Sequence, residues 1–193
     1  MKLSEQQRLD IKTAVEVMRR GGVIVYPTDT VWGIGCDARN SQAVARIFDI
    51  KHRAEAKALI TLVSSMAMLE RTVDCVPEAA EMLIEAAVDP VTIIYDRGIG
   101  VAPELLAPDG SIGIRLTRDP FAAALCNALR GPIVSTSANI SGEPTPGDFA
   151  AINRQILDAA DYVCTSRRDD PPGAKPSTVI KICNNGVFKI LRK

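Results

Sequence analysis

Apolar and polar positions along this chain switch repeatedly between a helical and a strand-like period. After Ser4 the segment EQQRLDIKTAVEVMRR returns its apolar residues at Ile11, Val15 and Met18, one face of a helix. Ser4 and Gln7 have the spacing of a capping box, and Gly21-Gly22 provides the stop. VIVYP (23–27) is a β-branched run closed by proline, which predicts a buried strand. Ser41 stands where it would cap a second helix, with Val44, Ile47 and Phe48 on the inner face and Lys51, His52 and Arg53 at its end. A strand is predicted at ALITLV (58–63), a helix opened by Pro77 in PEAAEMLIEAA, and another strand at VTIIY (91–95). SIGIRL (111–116) reads as a strand with one charged interruption, Arg115. Asp119-Pro120 then opens the helix FAAALCNAL, which runs up to Gly131. PIVSTSA gives a strand, a polar loop leads to a helix of roughly 149–159, and DYVCTS (161–166) gives a further strand before the loop RRDDPPGAKP (167–176). STVIKIC and VFKILRK flank Asn185-Gly186, a strong hairpin signal.

Strands alternating with helices, and a hairpin at the end, predict an α/β fold in a single domain over residues 1–193. The expected architecture is a twisted mixed sheet with flanking helices and a C-terminal hairpin. No repeat, low-complexity segment or linker divides it.

Composition narrows the class. At 47% hydrophobic and 24% charged residues the chain has a globular profile. Lys plus Arg equals Asp plus Glu at 23 each, so no global field draws in nucleic acid or a membrane surface. The five cysteines (36, 75, 126, 164 and 183) are far apart, lack a C-x-x-C pair and sit in contexts that read as buried. Their odd number argues against a disulfide framework and for a reducing compartment. A single histidine, His52, argues against a His/Cys zinc site. The N-terminal segment is charged throughout, without the apolar core of a signal peptide, and no run approaches a membrane span. The expected location is the cytoplasm.

Three segments carry candidate chemistry. In YPTDTVWGIG (26–35), Thr28, Asp29 and Thr30 follow a strand end, and Gly33 and Gly35 permit close backbone approach. That pattern fits an Asx-type turn into a glycine-rich strand as well as a binding site. In KHRAEAK (51–57), Lys51, Arg53 and Lys57 follow a helix end, where cations are favoured in any case. The same cluster at the mouth of a strand suits a polyphosphate. The third is PIVSTSANISGEPTP (132–146) together with Arg115. A strand arginine is either paired, at an edge, or projecting into a cleft. There is no Walker A loop and no G-x-G-x-x-G after a strand, and the lone histidine allows neither a Ser-His-Asp nor a Cys-His arrangement. Covalent hydrolase chemistry is disfavoured. Phosphate chemistry by positioning and charge neutralisation is compatible with these residues.

Taken in order, YPTDTVWGIG, Lys51-x-Arg53, SIGIR ending at Arg115, Ser137-x-Asn139 with Ser141-Gly142, Ser177-Thr178 and Ile190-Leu191-Arg192 resemble the YrdC-like family of threonylcarbamoyl-adenylate synthases over nearly the whole chain. The resemblance implies a reaction in which L-threonine and bicarbonate form a carbamate that attacks the α-phosphate of ATP. Threonylcarbamoyl-AMP and pyrophosphate result, and a tRNA-threonylcarbamoyl transferase complex passes the group to tRNA. It also implies roles. Thr30, Arg115, Ser137 and Ser177 would line the threonine and carbamate site; Arg53, Lys57, Ser111, Asn139 and Arg192 would contact ATP. Lys51, Arg53, Ser137 and Asn139 would form the catalytic group. Mg²⁺ would be held mainly by the ATP phosphates, which suits a reaction that brings two anions together.

The chain departs from the family pattern at Ala54 and Ala58, where relatives have prolines, at Leu62, where others have a histidine, and at Gly147, where a hydroxyl is usual. Ending just after Arg192, it resembles the short, single-domain form. Two other readings share the fold: an RNA-binding module without catalysis, and a paralogue that has lost the activity. Low aromatic content (4%) weakens the first, and retention of both K-x-R and S-x-N weakens the second.

Overall fold

The structure is a computed structural model that describes residues 3–52, 59–171 and 177–192. Arg53, Ala54, Lys57 and Ala58 lie outside the described residues, as does 172–176 of the loop before the hairpin. Helix α1 (Glu5–Arg19) starts at the expected capping box, with Ser4 Oγ accepting from the Gln7 amide and the Gln7 side chain accepting from the Ser4 amide. Helix α2 (Ser41–Ile50) is capped by Asn40 rather than by Ser41, because the Asn40 carboxamide oxygen accepts the Ala43 amide at 3.0 Å. Ser41 is the first helical residue.

Strands β1 (Ile24–Tyr26), β2 (Gly33–Gly35), β3 (Ile60–Val63), β4 (Val91–Tyr95), β5 (Ile112–Leu116), β6 (Ile133–Ser137), β7 (Tyr162–Val163), β8 (Thr178–Ile182) and β9 (Phe188–Arg192) form one sheet in the order β7-β1-β2-β6-β3-β5-β4-β8-β9. Pairs β1–β7, β3–β5 and β4–β8 are parallel and the rest antiparallel, so the sheet is mixed as expected. Helices α4 (Glu78–Ala86) and α5 (Pro120–Leu129) fall where the pattern places them, and Asp119 caps α5 by accepting the Ala122 amide. The short helix α3 (Met66–Glu70) and a 3-10 turn at Pro103–Leu105 were not legible in the periodicity.

Two elements are shorter than the sequence pattern suggests. Helix α6 covers only Arg154–Ala159, because the Phe149 ring packs on Trp32 at 4.8 Å and holds that stretch in a turn. The strand at 161–166 ends after Val163. The Thr165 and Ser166 amides leave the sheet and donate to Asp10 at 3.0 and 2.7 Å. Of the five cysteines, Cys36, Cys126 and Cys164 are buried, but Cys75 is exposed and Cys183 half-buried, and all are free thiols.

Asp10 fastens α1 to the end of β7. It is fully buried and also accepts from the Tyr162 hydroxyl at 2.6 Å and the Thr165 hydroxyl at 3.0 Å. Burial alone would raise its pKa; hydrogen bonds from Ser166, Tyr162 and Thr165 outweigh that and hold it at about 2, against an ordinary 3.8. A carboxyl depressed in the folded state stabilises the fold above the unfolded value and loses that contribution as pH falls toward the folded one. The contribution is about 2 kcal/mol at neutral pH. Asp10→Asn is expected to lower stability by that order at pH 7 and to remove part of the acid sensitivity between pH 4 and 2. Urea unfolding of both proteins across that range measures it.

Candidate active site

Alternation along the central strands sends one set of residues to the core and the other to a cavity. Ile112 and Ile114 of β5 are buried in the core, while Ser111, Gly113 and Arg115 line the cavity. Ile93 and Tyr95 of β4 are core residues; Thr92 and Ile94 line the cavity, joined by Ser135 and Ser137 from β6. The volume is about 370 Å³, within the range of roughly 300–1,000 Å³ usual for small-molecule sites. Gly113 sits in register between Ile60 and Ile94, and a Cβ there would meet nothing closer than 3.7 Å. The glycine keeps the floor low rather than avoiding a clash. Gly35 is the opposite case: a Cβ on it would fall 2.1 Å from the Val134 carbonyl oxygen, so the close passage of β2 over β6 requires glycine.

Arg115 lines this cavity and is 4% exposed on an interior strand. Its Nη1 donates to Thr30 Oγ1 at 3.2 Å and its Nη2 lies 3.4 Å from Asp29 Oδ1. Both the paired and the cleft readings of this arginine therefore hold. Arg115 Nε and Asp29 Oδ1 are buried without a hydrogen-bond partner among the described residues.

Proton accounting fixes what the neighbouring hydroxyls offer. The Thr28 hydroxyl donates to the Val31 carbonyl at 2.7 Å and accepts from the Thr30 amide at 3.1 Å. With its one proton spent, its 3.0 Å contact with Thr30 Oγ1 must be donated by Thr30. Thr30 Oγ1 thus keeps only lone pairs, one of them on Arg115. The Ser137 hydroxyl donates to Asn139 Oδ1 at 2.5 Å.

On the same face, where β4 meets β8, the Thr92 and Ser177 hydroxyls lie 2.8 Å apart, and Arg192 donates from Nε and Nη2 to the Ser177 carbonyl at 3.2 and 2.9 Å. Arg192 reaches this side through a β-bulge. Ile180 pairs with Ile190 but Val179 pairs with Arg192, which turns the arginine toward the face that Val179 lines. Ser111 donates to Asp109, also an acceptor from Lys181 at 3.2 Å. The Ser111 side chain, the Ser111 amide and Lys181 together lower the Asp109 carboxyl to about 2.

Thr30, Ser111, Arg115, Ser137, Ser177 and Arg192 therefore share one cavity. Lys51 and Asn139 stand behind it. Lys51 is 1% exposed, and its ammonium donates to the Ser137 and Asn139 carbonyls at 2.5 and 2.6 Å. The Asn139 amide donates to the Ile140 and Glu143 carbonyls at 3.0 and 2.8 Å, stapling the loop after β6. Arg53 and Lys57 are outside the described residues. His52 is exposed and ends α2 with a left-handed φ of 48°. Leu62 is buried beside Arg115 in register and does not line the cavity. Gly147 borders a smaller hollow next to Thr28 and Arg167. Ser135, Thr136 and Thr92 also line the cavity; the alternation of VTIIY would have flagged Thr92 once Ile93 was assigned to the core. Among the described residues no group of three His, Cys, Asp or Glu side chains could hold a metal ion. No helix among them is long and apolar enough to cross a membrane.

A family model named for Sua5, YciO and YrdC, described as "Telomere recombination", matches residues 16–193. The threonylcarbamoyl-AMP synthase of Xanthomonas campestris pv. campestris (strain B100) is 37% identical over 158 residues, 80% of this chain and 84% of that protein. The synthase of the same name from Stenotrophomonas maltophilia (strain K279a) is 37% identical over 160 residues, 81% of this chain and 86% of that one. Among solved structures, E. coli YciO superposes with a TM-score of 0.82 at 30% identity, over 97% of this chain and 89% of its own. P. abyssi Sua5 complexed with L-threonine gives 0.79 at 28% identity over 94% of this chain, which spans about half (52%) of that longer protein.

Proposed function

The chain belongs to the Sua5–YciO–YrdC family, and from that premise we propose that it is a threonylcarbamoyl-AMP synthase, a nucleotidyltransferase acting in the cytoplasm. The observation that carries the reading is the convergence of Thr30, Ser111, Arg115, Ser137, Ser177 and Arg192, from segments distant in sequence, on one cavity with a buried guanidinium in its wall.

L-threonine condenses with bicarbonate to a carbamate, with loss of water. The carbamate oxygen attacks the α-phosphorus of ATP, the bond to the bridging oxygen breaks, and pyrophosphate leaves. Threonine lies at the Arg115 end. Its carboxylate meets the guanidinium, including the Nε that has no partner among the described residues. The nitrogen faces Thr30 Oγ1, whose remaining lone pair suits an N–H donor. Ser177 stands on the threonine side with Thr30 and Ser137, while ATP enters past Ser111 and Arg192, with Arg53 and Lys57 as further phosphate cations and Asn139 holding the loop that shapes Ser137. Catalysis here rests on position and fixed charge, so no histidine base is needed.

The side-chain donors lining the cavity are hydroxyls and guanidinium groups, and the two carboxylates beside it among the described residues are engaged already, Asp29 by Arg115 and Asp109 by Ser111 and Lys181. That set fits Mg²⁺ carried on the phosphate oxygens of ATP, where it would neutralise charge between the two reacting anions. The product is consumed by a tRNA-threonylcarbamoyl transferase complex. Purified protein should release pyrophosphate only when ATP, threonine and bicarbonate are all present. Release that ignores threonine would sink the reading.

A further inference from the structure

The loop after β7 carries an arginine in a conformation that side chains rarely adopt. Arg167 has φ 65°, in the left-handed region. Its guanidinium is engaged on three sides. Nη1 donates to Asp119 Oδ2 at 2.8 Å, Nε to Asp170 Oδ2 at 2.7 Å, and Nη2 to the Thr28 carbonyl at 3.1 Å. Asp119 is itself 8% exposed and uses its other oxygen to cap α5 at the Ala122 amide, 2.8 Å away. A line of fixed groups therefore runs from the start of α5 through Asp119 and Arg167 to Thr28.

Thr28 is where that line reaches the cavity. Its hydroxyl closes the turn through the Val31 carbonyl and the Thr30 amide, and it accepts a hydrogen bond from the Thr30 hydroxyl. Thr30 in turn accepts from Arg115. A loop fastener alone would need only the two aspartates; the third contact lands on the turn that sets Thr30 against Arg115. The neighbouring Arg168 braces the same region from outside, its guanidinium 4.3 Å above the Phe149 ring that packs on Trp32.

We propose that Arg167 is a positioning residue, which fixes the Thr28–Thr30 turn relative to Arg115 without touching substrate. The kinetic part rests on the reading of the Arg115 end as the threonine site. Arg167→Gly is the informative variant, since glycine accepts the left-handed backbone and removes the guanidinium; the chain freedom it adds is controlled by the second variant, which leaves the loop backbone unchanged. Asp119→Asn is the second: Asn still caps α5 but loses the charged partner of Arg167.

Two measurements separate the outcomes. Hydrogen exchange at the Thr30 amide should become roughly 10-fold faster in Arg167→Gly, and faster in Asp119→Asn, measured relative to core amides of α1 that report any change in global stability. The KM for threonine should rise roughly 10-fold while that for ATP stays within about 2-fold. Unchanged exchange at Thr30 overturns the proposal whatever the kinetics. Faster exchange with an unchanged KM for threonine, when Thr30→Ala does raise it, overturns it also. If neither Thr30→Ala nor Arg167→Gly moves that KM, the threonine assignment fails, and the exchange result alone decides for or against Arg167.

Discussion

Arg115→Met yields a folded protein in which threonine-dependent formation of threonylcarbamoyl-AMP falls by about 10³-fold or more. That loss corresponds to about 4 kcal/mol of transition-state stabilisation. Its source is the loss of a fixed guanidinium in a cavity where a ligand displaces water and electrostatic interactions strengthen. Methionine keeps an apolar stem between the neighbouring strands, so the fold survives. Asp29 loses the ion-pair partner of its buried Oδ1, but its side chain is 23% exposed and can turn toward water. Arg115→Lys is expected to lose about 10²-fold, because an ammonium cannot hold Thr30, Asp29 and a substrate carboxylate in one fork. Single-turnover assays with saturating ATP measure both. Turnover within about 5-fold of the parent in Arg115→Met would remove this arginine from the chemistry.

Lys51→Met is expected to strike the fold first and the activity as a consequence. The ammonium serves the carbonyls of Ser137 and Asn139 and lies 3.4 Å from Asn139 Oδ1, while the Lys51 carbonyl accepts the Ser141 amide at 2.9 Å. Methionine matches the stem but offers no proton. Each carbonyl left without its donor costs about 1–3 kcal/mol. Relief from burying a charge offsets part of this, leaving a net loss of about 3 kcal/mol. In a chain of this size the melting temperature should drop by roughly 6–12 °C. Thermal unfolding by circular dichroism provides the check. An unchanged melting temperature with abolished activity would instead make Lys51 a group that meets substrate directly.

Much of the site was legible in the sequence because it follows strand alternation. In SIGIR the period of two places Ser111, Gly113 and Arg115 on one face, and the apolar pair Ile112 and Ile114 shows which face is the core. The capping box at Ser4 and the Asn185-Gly186 hairpin were read for the same local reasons. What alternation misplaces is Arg192. A regular strand would set it on the face of Phe188 and Ile190, and only the bulge turns it to the cavity. No residue near the bulge announces it.

Lys51 shows a different limit. In the sequence it stands beside Arg53 and Lys57 as part of a cationic cluster, yet its side chain is folded under the loop after β6. Its burial depends on carbonyls more than eighty residues away in the chain. The same holds for Arg167. Its loop shows in the sequence as a break, and Asp170 is close by in the chain, but Asp119 and the Thr28 carbonyl are 48 and 139 residues away and only the folded chain brings them to it.

The most direct test of the central claim is to mix purified protein with ATP, Mg²⁺, L-threonine and isotopically labelled bicarbonate, quench at once, and examine the products by mass spectrometry. A threonylcarbamoyl-AMP species that carries the label, appears only with all three substrates and matches the pyrophosphate released is the result this account predicts. Pyrophosphate without the labelled adduct, or no threonine-dependent product at all, would contradict it.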